Sequence, residues 1–446
     1  MTSPFSDDLR PVLDGTGLAG PAWLRERRQA GARAFERLGL PTPRNEDWHY
    51  TSVAPIAEGA WTTLRDASGD VSAADLAPFT FGQSGWPMLV FVNGRFAPEL
   101  STPADRLPEG IRVATVGQLL AGEAIDPTLL ELAERWMGRI VDAETHAFTA
   151  LNTALATDGA LVHVGKEMVI EQPLHLLFVT DASAAKGATH PRNLVVAERH
   201  SRATVIESHA GIGDATYFTN AVTELVVADG ATLSYDKVQR ESARAFHVGT
   251  IEADQGRDSH FLNFSFATGA TLARSNVYTR LGGEGCGATL NGLYMLDGAQ
   301  HSDHQTRIEH VAPNCFSREL YKGLLDGTSH GVFNGKVYVH PEAQKTDGKQ
   351  ENHSMLLSRT AQVDTKPQLE IFADDVKCTH GATVGQLDET ALFYMKSRGI
   401  APSLARQLLT YAFAADVLET IELEAVRDDL EAATLERFTK AEALVG

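Results

Sequence analysis

The feature that most constrains this chain is a long stretch with no helical period. Between residues 156 and 387 the sequence runs as short β-branched or alternating segments, among them LVHVGKEMVI, LHLLFVT, NLVVAE, ATVIES, TELVVADGATLSYDKV and HFLNFSF, separated by Gly, Asp and Asn. Alternation bounded by turn residues reads as strand after strand. Many short strands in one continuous unit bury their backbone edges best by stacking as rungs, so the pattern predicts a mainly β solenoid. A tetrapeptide recurs inside it, GATL at 230–233, 269–272 and 287–290, then GATV at 381–384. The gaps fall near multiples of about 19 residues, which predicts a rung of that length. In this reading a turn glycine and a small alanine at a crowded corner precede a β-branched threonine that enters a strand.

The flanks read differently. Residues 1–155 form a helical and mixed region. PAWLRERRQAGARAFERL at 21–38 places Leu24, Gly31, Phe35 and Leu38 on one side, with Pro21 near the start and Gly39 as the stop. PTPRNEDWHYTS at 41–52 is a turn-rich connector, and MLVFVNGRF at 88–96 is a strand running into an Asn-Gly turn. Residues 388–446 return to helix. DETALFYMKSRG stops at Gly399, and a second helix starting at Pro402 carries Leu404, Leu408, Tyr411, Ala412, Ala415 and Leu418 at spacings of three and four, followed by a charged third helix. Such a bundle either caps the solenoid end or docks a partner.

Composition excludes several classes. Lys plus Arg is 39 and Asp plus Glu is 58, a formal net charge of −19 in 446 residues. An acidic balance of that size argues against a nucleic-acid binder and against anionic membrane surfaces. No apolar run approaches the length of a membrane span, and MTSPFSDDLRP lacks the basic and apolar parts of a signal peptide. Three cysteines, Cys286, Cys315 and Cys378, cannot frame a disulfide scaffold. A reduced, cytoplasmic setting fits these observations.

Nine of the 16 histidines lie between residues 247 and 380, together with all three cysteines. The densest group is His301, Asp303, His304 and His310, with Cys315 close behind. Imidazole, thiolate and carboxylate suit zinc or iron, although the spacing matches no closed zinc site. The competing reading is a strand whose histidines hydrogen-bond locally. A second constellation is Asp374-Asp375-Val376-Lys377-Cys378-Thr379-His380-Gly381. On a strand Cys378 and His380 project side by side with Thr379 opposite, able to hold one soft or borderline metal or to act as a nucleophile pair. Lys377 and His380 would depress the thiol pKa in a wet site, whereas a buried Cys378 in phase with Val376 would be structural. Asp374 and Asp375 are adjacent, poor geometry for the paired carboxylates of a glycosidase. No P-loop, G-x-S-x-G elbow or H-E-x-x-H motif is present.

Three segments, DHQTRIEHVAPNCFSRELYKGLLDG (303–327), GVFNGKVYVHPEAQKTDGKQENHSMLLS (331–358) and TKPQLEIFADDVKCTHGATVGQLDETALFYMKSRGI (365–400), resemble the SufB/SufD family of iron–sulfur cluster assembly proteins. PTPRNEDWHYTS resembles the entry segment of the SufD branch, and Gly381 stands where SufB-type chains carry a Glu after the motif His, so the likeness is to the SufD side. The resemblance implies a right-handed parallel β-helix flanked by helical regions and a non-enzymatic subunit of a SufBCD scaffold complex. It implies pairing with a SufB-type paralogue through the β-helix and docking of the SufC ATPase on the C-terminal helices. Cys378 and His380 match the family's C-x-H pair at the SufB–SufD interface, as candidate ligands of a transient iron–sulfur cluster that is not tightly held by the chain alone. The Cys378 thiolate is expected to be exposed when ATP-driven SufC dimerisation pulls on the helical ends. Without the paralogue the chain is expected to self-pair as a homodimer. The rival class is a carbohydrate-active β-helix lyase or hydrolase, which would share the solenoid and the acidic charge.

Overall fold

Strands of five to ten residues, each ended by a tight corner, wind into two mainly parallel sheets that lie face to face. The computed structural model describes residues 3–17, 19–65 and 69–443. The chain alternates between the sheets through about eight turns. The first sheet runs from Ala160–Val164 and Arg192–Ala197 through Phe218–Val227, Phe246–Gln255, Leu272–Leu281, His301–His310 and His330–Val339 to Gln362–Ile371. The second runs from Met88–Val92 and Leu174–Thr180 through Arg202–Gly211, Thr232–Arg240, His260–Thr268, Gly287–Leu296, Phe316–Leu325 and Asp347–Leu356 to Lys377–Gln386. Alternate side chains from both sheets point inward, and Val195, Leu225, Leu233, Ile251, Phe261, Val277, Leu290 and Ile308 fill the space between them.

The rung is longer than the tetrapeptide suggests. Register pairs Phe218 with Phe246, Phe246 with Leu272, Leu272 with His301, His301 with His330 and His330 with Gln362, so one turn takes 26 to 32 residues. Each turn needs two strands and two corners, which 19 residues cannot supply. The four tetrapeptides are also not equivalent. Gly230 and Gly269 sit at corners with φ of 67° and 87°, where a side chain would be strained. Gly287 opens a strand and Gly381 lies inside one.

The two ends of the solenoid differ. At the N-terminal end each sheet is finished by an antiparallel strand, Ile111–Thr115 against Ala160–Val164 and Arg95–Phe96 against Met88–Val92. The second of these is the hairpin foreseen at Asn93-Gly94, whose φ angles are 51° and 78°. At the other end Gln362–Ile371 and Lys377–Gln386 each have a neighbour on one side only among the described residues. Their outer edges present unpaired backbone groups, the usual template for a further chain.

Helices clad the outside. Ala22–Leu38 starts after Pro21 and stops at Gly39, as its sequence dictates. It crosses Ala147–Leu155 closely at Gly31, where an added Cβ would lie 2.9 Å from the Ala150 carbonyl oxygen. The connector at 41–52 lies on the outer face of the first sheet. There Thr51 donates to Asp303 at 2.6 Å, and the Arg274 guanidinium sits 3.8 Å over the Trp48 ring.

The C-terminal helices do not cap the end. Pro402–Leu418 and Glu424–Ala443 pack along the outer face of the second sheet, with Ala414, Val417, Leu418, Val426 and Leu430 against Ile206, Val238, Phe264, Leu293 and Leu324. The buried side of Pro402–Leu418 is Ala405, Thr410, Ala414, Val417 and Leu418. Of the apolar stripe, Leu418 is buried against the sheet while Leu404 and Leu408 are turned outward. No helix among the described residues is long and apolar enough to cross a membrane.

Candidate functional site at the open end of the solenoid

Cys378 and His380 lie on Lys377–Gln386, the last strand of the second sheet. The two-residue period puts them on one face and Thr379 on the other. Register shows which face. Cys378 stands over Gly348, which stands over Ser317, while His380 stands over Gln350 and then Glu319. Ser317, Glu319 and Gln350 are buried, so the Cys378–His380 face is the interior face, laid bare at the last turn. His380 is exposed and Cys378 is half-buried. A Cβ at Gly348 would lie 3.4 Å from Sγ, in ordinary van der Waals contact.

The thiol is not activated in this arrangement. Burial raises its pKa above the ordinary value, and the Asp347 carboxylate adds to that, against a hydrogen bond from the Gly348 backbone. Its apolar neighbours are Val337, Val339, Ala343, Ala373 and Val376. The effect expected of Lys377 and His380 is thus outweighed by desolvation. Asp374 and Asp375 sit in the loop before the strand, and Asp375 is paired with Lys345.

The histidine group around residue 301 is divided by the same alternation. His301 and Asp303 face outward under the connector, where the His301 ring contacts Thr51 Oγ1 at 2.9 Å and Asp303 accepts from Arg274 at 2.6 Å. His304 and His310 face inward. His304 stacks on Tyr294 at 4.6 Å, and His310 Nε2 lies 3.0 Å from Ser317 Oγ. Burial pushes all three histidines down to about 4. They do not converge, and no group of three or more His, Cys, Asp or Glu among the described residues could hold a metal ion. Cys286 and Cys315 are buried and occupy corner positions one turn apart, each just before a strand.

Two interior polar arrangements escape a reading of the sequence. In the earlier turns Glu207 accepts from Thr223 at 2.6 Å and lies 2.7 Å from His209 Nε2, while Lys237 Nζ is 2.9 Å from His247 Nε2. Gly249 leaves space for that lysine, as a Cβ there would sit 2.2 Å from Nζ. Burial lowers the Lys237 pKa. Near the open end Gln350 Nε2 donates to Glu319 Oε2 at 2.6 Å, directly beneath His380 in the ladder. The signal for both is a column of polar residues about 30 positions apart, visible only once the length of each turn is known.

Chemically, the open end offers one thiol and one imidazole side by side. They form a soft and borderline ligand pair suited to iron, with two ligands where a cluster needs four.

Known proteins match this chain along most of its length. Residues 178–413 match the model described as SUF system FeS cluster assembly, SufBD core domain, and residues 19–176 match the SufBD protein N-terminal region. An iron–sulfur cluster assembly SufBD family protein of Synechocystis is 34% identical over 415 residues, covering 91% of this chain and 89% of that protein. The iron–sulfur cluster assembly protein SufD of Escherichia coli is 32% identical over 406 residues, 90% of each chain. The SufD of Bacillus subtilis is 27% identical over 434 residues, 94% of this chain and 95% of its own.

Proposed function

The chain belongs to the SufBD family of iron–sulfur cluster assembly proteins, and from that premise we propose that it is a cytoplasmic, non-catalytic subunit of SufD type in a SufBCD scaffold complex. The observation that carries the reading is the placement of Cys378 and His380 on a strand with a free edge. Two ligands on an uncovered end form half a site, and a SufB-type paralogue docking along that edge supplies the remainder. Its Glu, in the position held here by Gly381, brings the carboxylate this chain lacks. A site split between two subunits opens when one moves against the other, so a nascent cluster can be released. Family membership displaces the carbohydrate-active reading of an acidic solenoid.

The ATPase partner, of SufC type, is assigned to the C-terminal helices. Phe393 is 73% exposed and Tyr394 59%, and Leu404 and Leu408 project from the next helix. Large exposed apolar residues of this kind favour a protein contact. Phe393→Glu with Leu408→Glu is expected to abolish co-elution with the ATPase while leaving the circular dichroism spectrum unchanged. Retained co-elution would move the docking site elsewhere.

The central test is co-expression with the SufB-type and SufC-type partners followed by anaerobic reconstitution with iron and sulfide. A ternary complex should survive gel filtration, and its absence refutes the assignment. His380→Ala should lower cluster yield at least several-fold while the chain stays folded, because the ring is exposed. An unchanged yield removes His380 from the site. Alone, the chain should scatter light as a dimer paired through the same free edge.

A further inference from the structure

The column beneath His380 contains more than packing. Glu319 is 3% exposed and Gln350 0%, and register stacks Glu319, Gln350 and His380 on three successive turns. The Gln350 amide spends its N–H on Glu319, one turn inward, at 2.6 Å. The oxygen of a planar amide points away from its nitrogen, and the next turn outward carries His380. Gln350 Oε1 is buried and has no hydrogen-bond partner among the described residues. An orphaned buried carbonyl is costly, so such an atom marks a bond awaiting its donor. The amide is also held in place from the opposite sheet. A Cβ at Gly335 would lie 2.3 Å from Gln350 Nε2, so the glycine is what admits the amide between the sheets.

We propose that Glu319 and Gln350 form a positioning relay for His380, in which the Gln350 carbonyl accepts one ring N–H and thereby fixes the tautomer and orientation of the imidazole. Glu319 sets the direction of the amide by accepting the Gln350 Nε2 N–H at 2.6 Å. The ring nitrogen that faces Gln350 keeps the proton, and the other presents its lone pair at the open end. Metal-binding histidines depend on a partner of this sort for their second nitrogen. The inference rests on the reading of His380 as an iron ligand, and neither Gln350 nor Glu319 touches the metal itself.

The test uses the full chain labelled with ¹⁵N in the histidine rings, the His380 signals being those lost in His380→Ala. One neutral tautomer is expected in the native protein. Gln350→Leu and Glu319→Leu should each give a mixture of tautomers, while Glu319→Gln, which keeps an acceptor for the amide, should restore the single form. In the reconstituted complex the two leucine variants should lower the affinity for added ferrous ion by about 10- to 100-fold. A single tautomer that persists in either leucine variant that folds overturns the relay. If the tautomer responds but His380→Ala leaves cluster yield unchanged, the ligand role fails and the relay stands.

Discussion

Replacing Glu224 with alanine is expected to destabilise the protein by about 3–5 kcal/mol, among the largest costs a single side chain can carry here. Glu224 is fully buried on the outer face of the first sheet. One carboxylate oxygen accepts from Arg192 Nη2 and from the Gly138 backbone N–H, both at 2.6 Å. The other accepts from the backbone N–H groups of Arg139 and Ile140 at 3.1 and 3.0 Å. Arg192 in turn donates to Asn152 and Thr153 on Ala147–Leu155. One anion therefore fastens two separate stretches of the N-terminal helical region to the solenoid. Alanine would leave a buried guanidinium and several backbone donors without an acceptor, and an unpaired buried charge costs more than the pair was worth. Urea denaturation of the full chain should show a markedly lower midpoint for Glu224→Ala and a smaller shift for Glu224→Gln. The double variant Arg192→Met with Glu224→Met should recover part of the loss, because it removes the stranded cation. A cost below about 1 kcal/mol for Glu224→Ala would show that water satisfies these groups and that the ion pair is not the fastening.

Much of this architecture is legible in the sequence because alternation and turn residues act locally. Asn93-Gly94 demands a hairpin, Gly39 ends a helix, and Cys378 and His380 must share a face wherever they lie on a strand. What the sequence conceals is register across turns. Turn length varies from 26 to 32 residues with the size of each corner, so no fixed period aligns Glu319, Gln350 and His380. The recurring GAT tetrapeptide misleads for the same reason, two copies serving corners and two serving strands. The histidines at 301, 304 and 310 look like a cluster along the chain, yet period-two geometry already separates the odd position from the even ones. For the helix at 402–418 the sequence leaves open which face is covered. Apolar periodicity marks a sticky face without saying what covers it, and here the sheet takes Ala414, Val417 and Leu418 while Leu404 and Leu408 remain outside. Leu404 and Leu408 are the large apolar side chains of this helix that the fold leaves exposed.

Mild acid should loosen this fold well before carboxylates are exhausted. His190, His247, His301, His304 and His310 are pushed down to about 4 by burial, and His175 to about 3. Their surroundings explain the direction. His175, His304 and His310 each meet a serine hydroxyl through Nε2, a partner that cannot neutralise an imidazolium, and Nδ1 of His304 and His310 has no hydrogen-bond partner among the described residues. An unfolded histidine takes up its proton near pH 6.5. Between about pH 6.5 and 4 the unfolded chain therefore binds protons that the folded chain refuses, and the stability present above that window is lost as pH falls. Three carboxyls work the other way. Asp236, Glu252 and Glu319 are raised by burial to about 7, so their contribution is full at low pH and is lost as pH rises toward 7. Within the window six histidines outweigh three carboxyls, and each net proton is worth roughly 1.4 kcal/mol per pH unit. A fall of several kcal/mol between pH 7 and pH 5 is expected, read as a steadily decreasing urea midpoint. His304→Phe, which keeps the stacking on Tyr294 and removes the titrating nitrogen, should flatten the decline. A midpoint that holds or rises on going from pH 7 to pH 5 would mean that the interior histidines are already charged in the folded state.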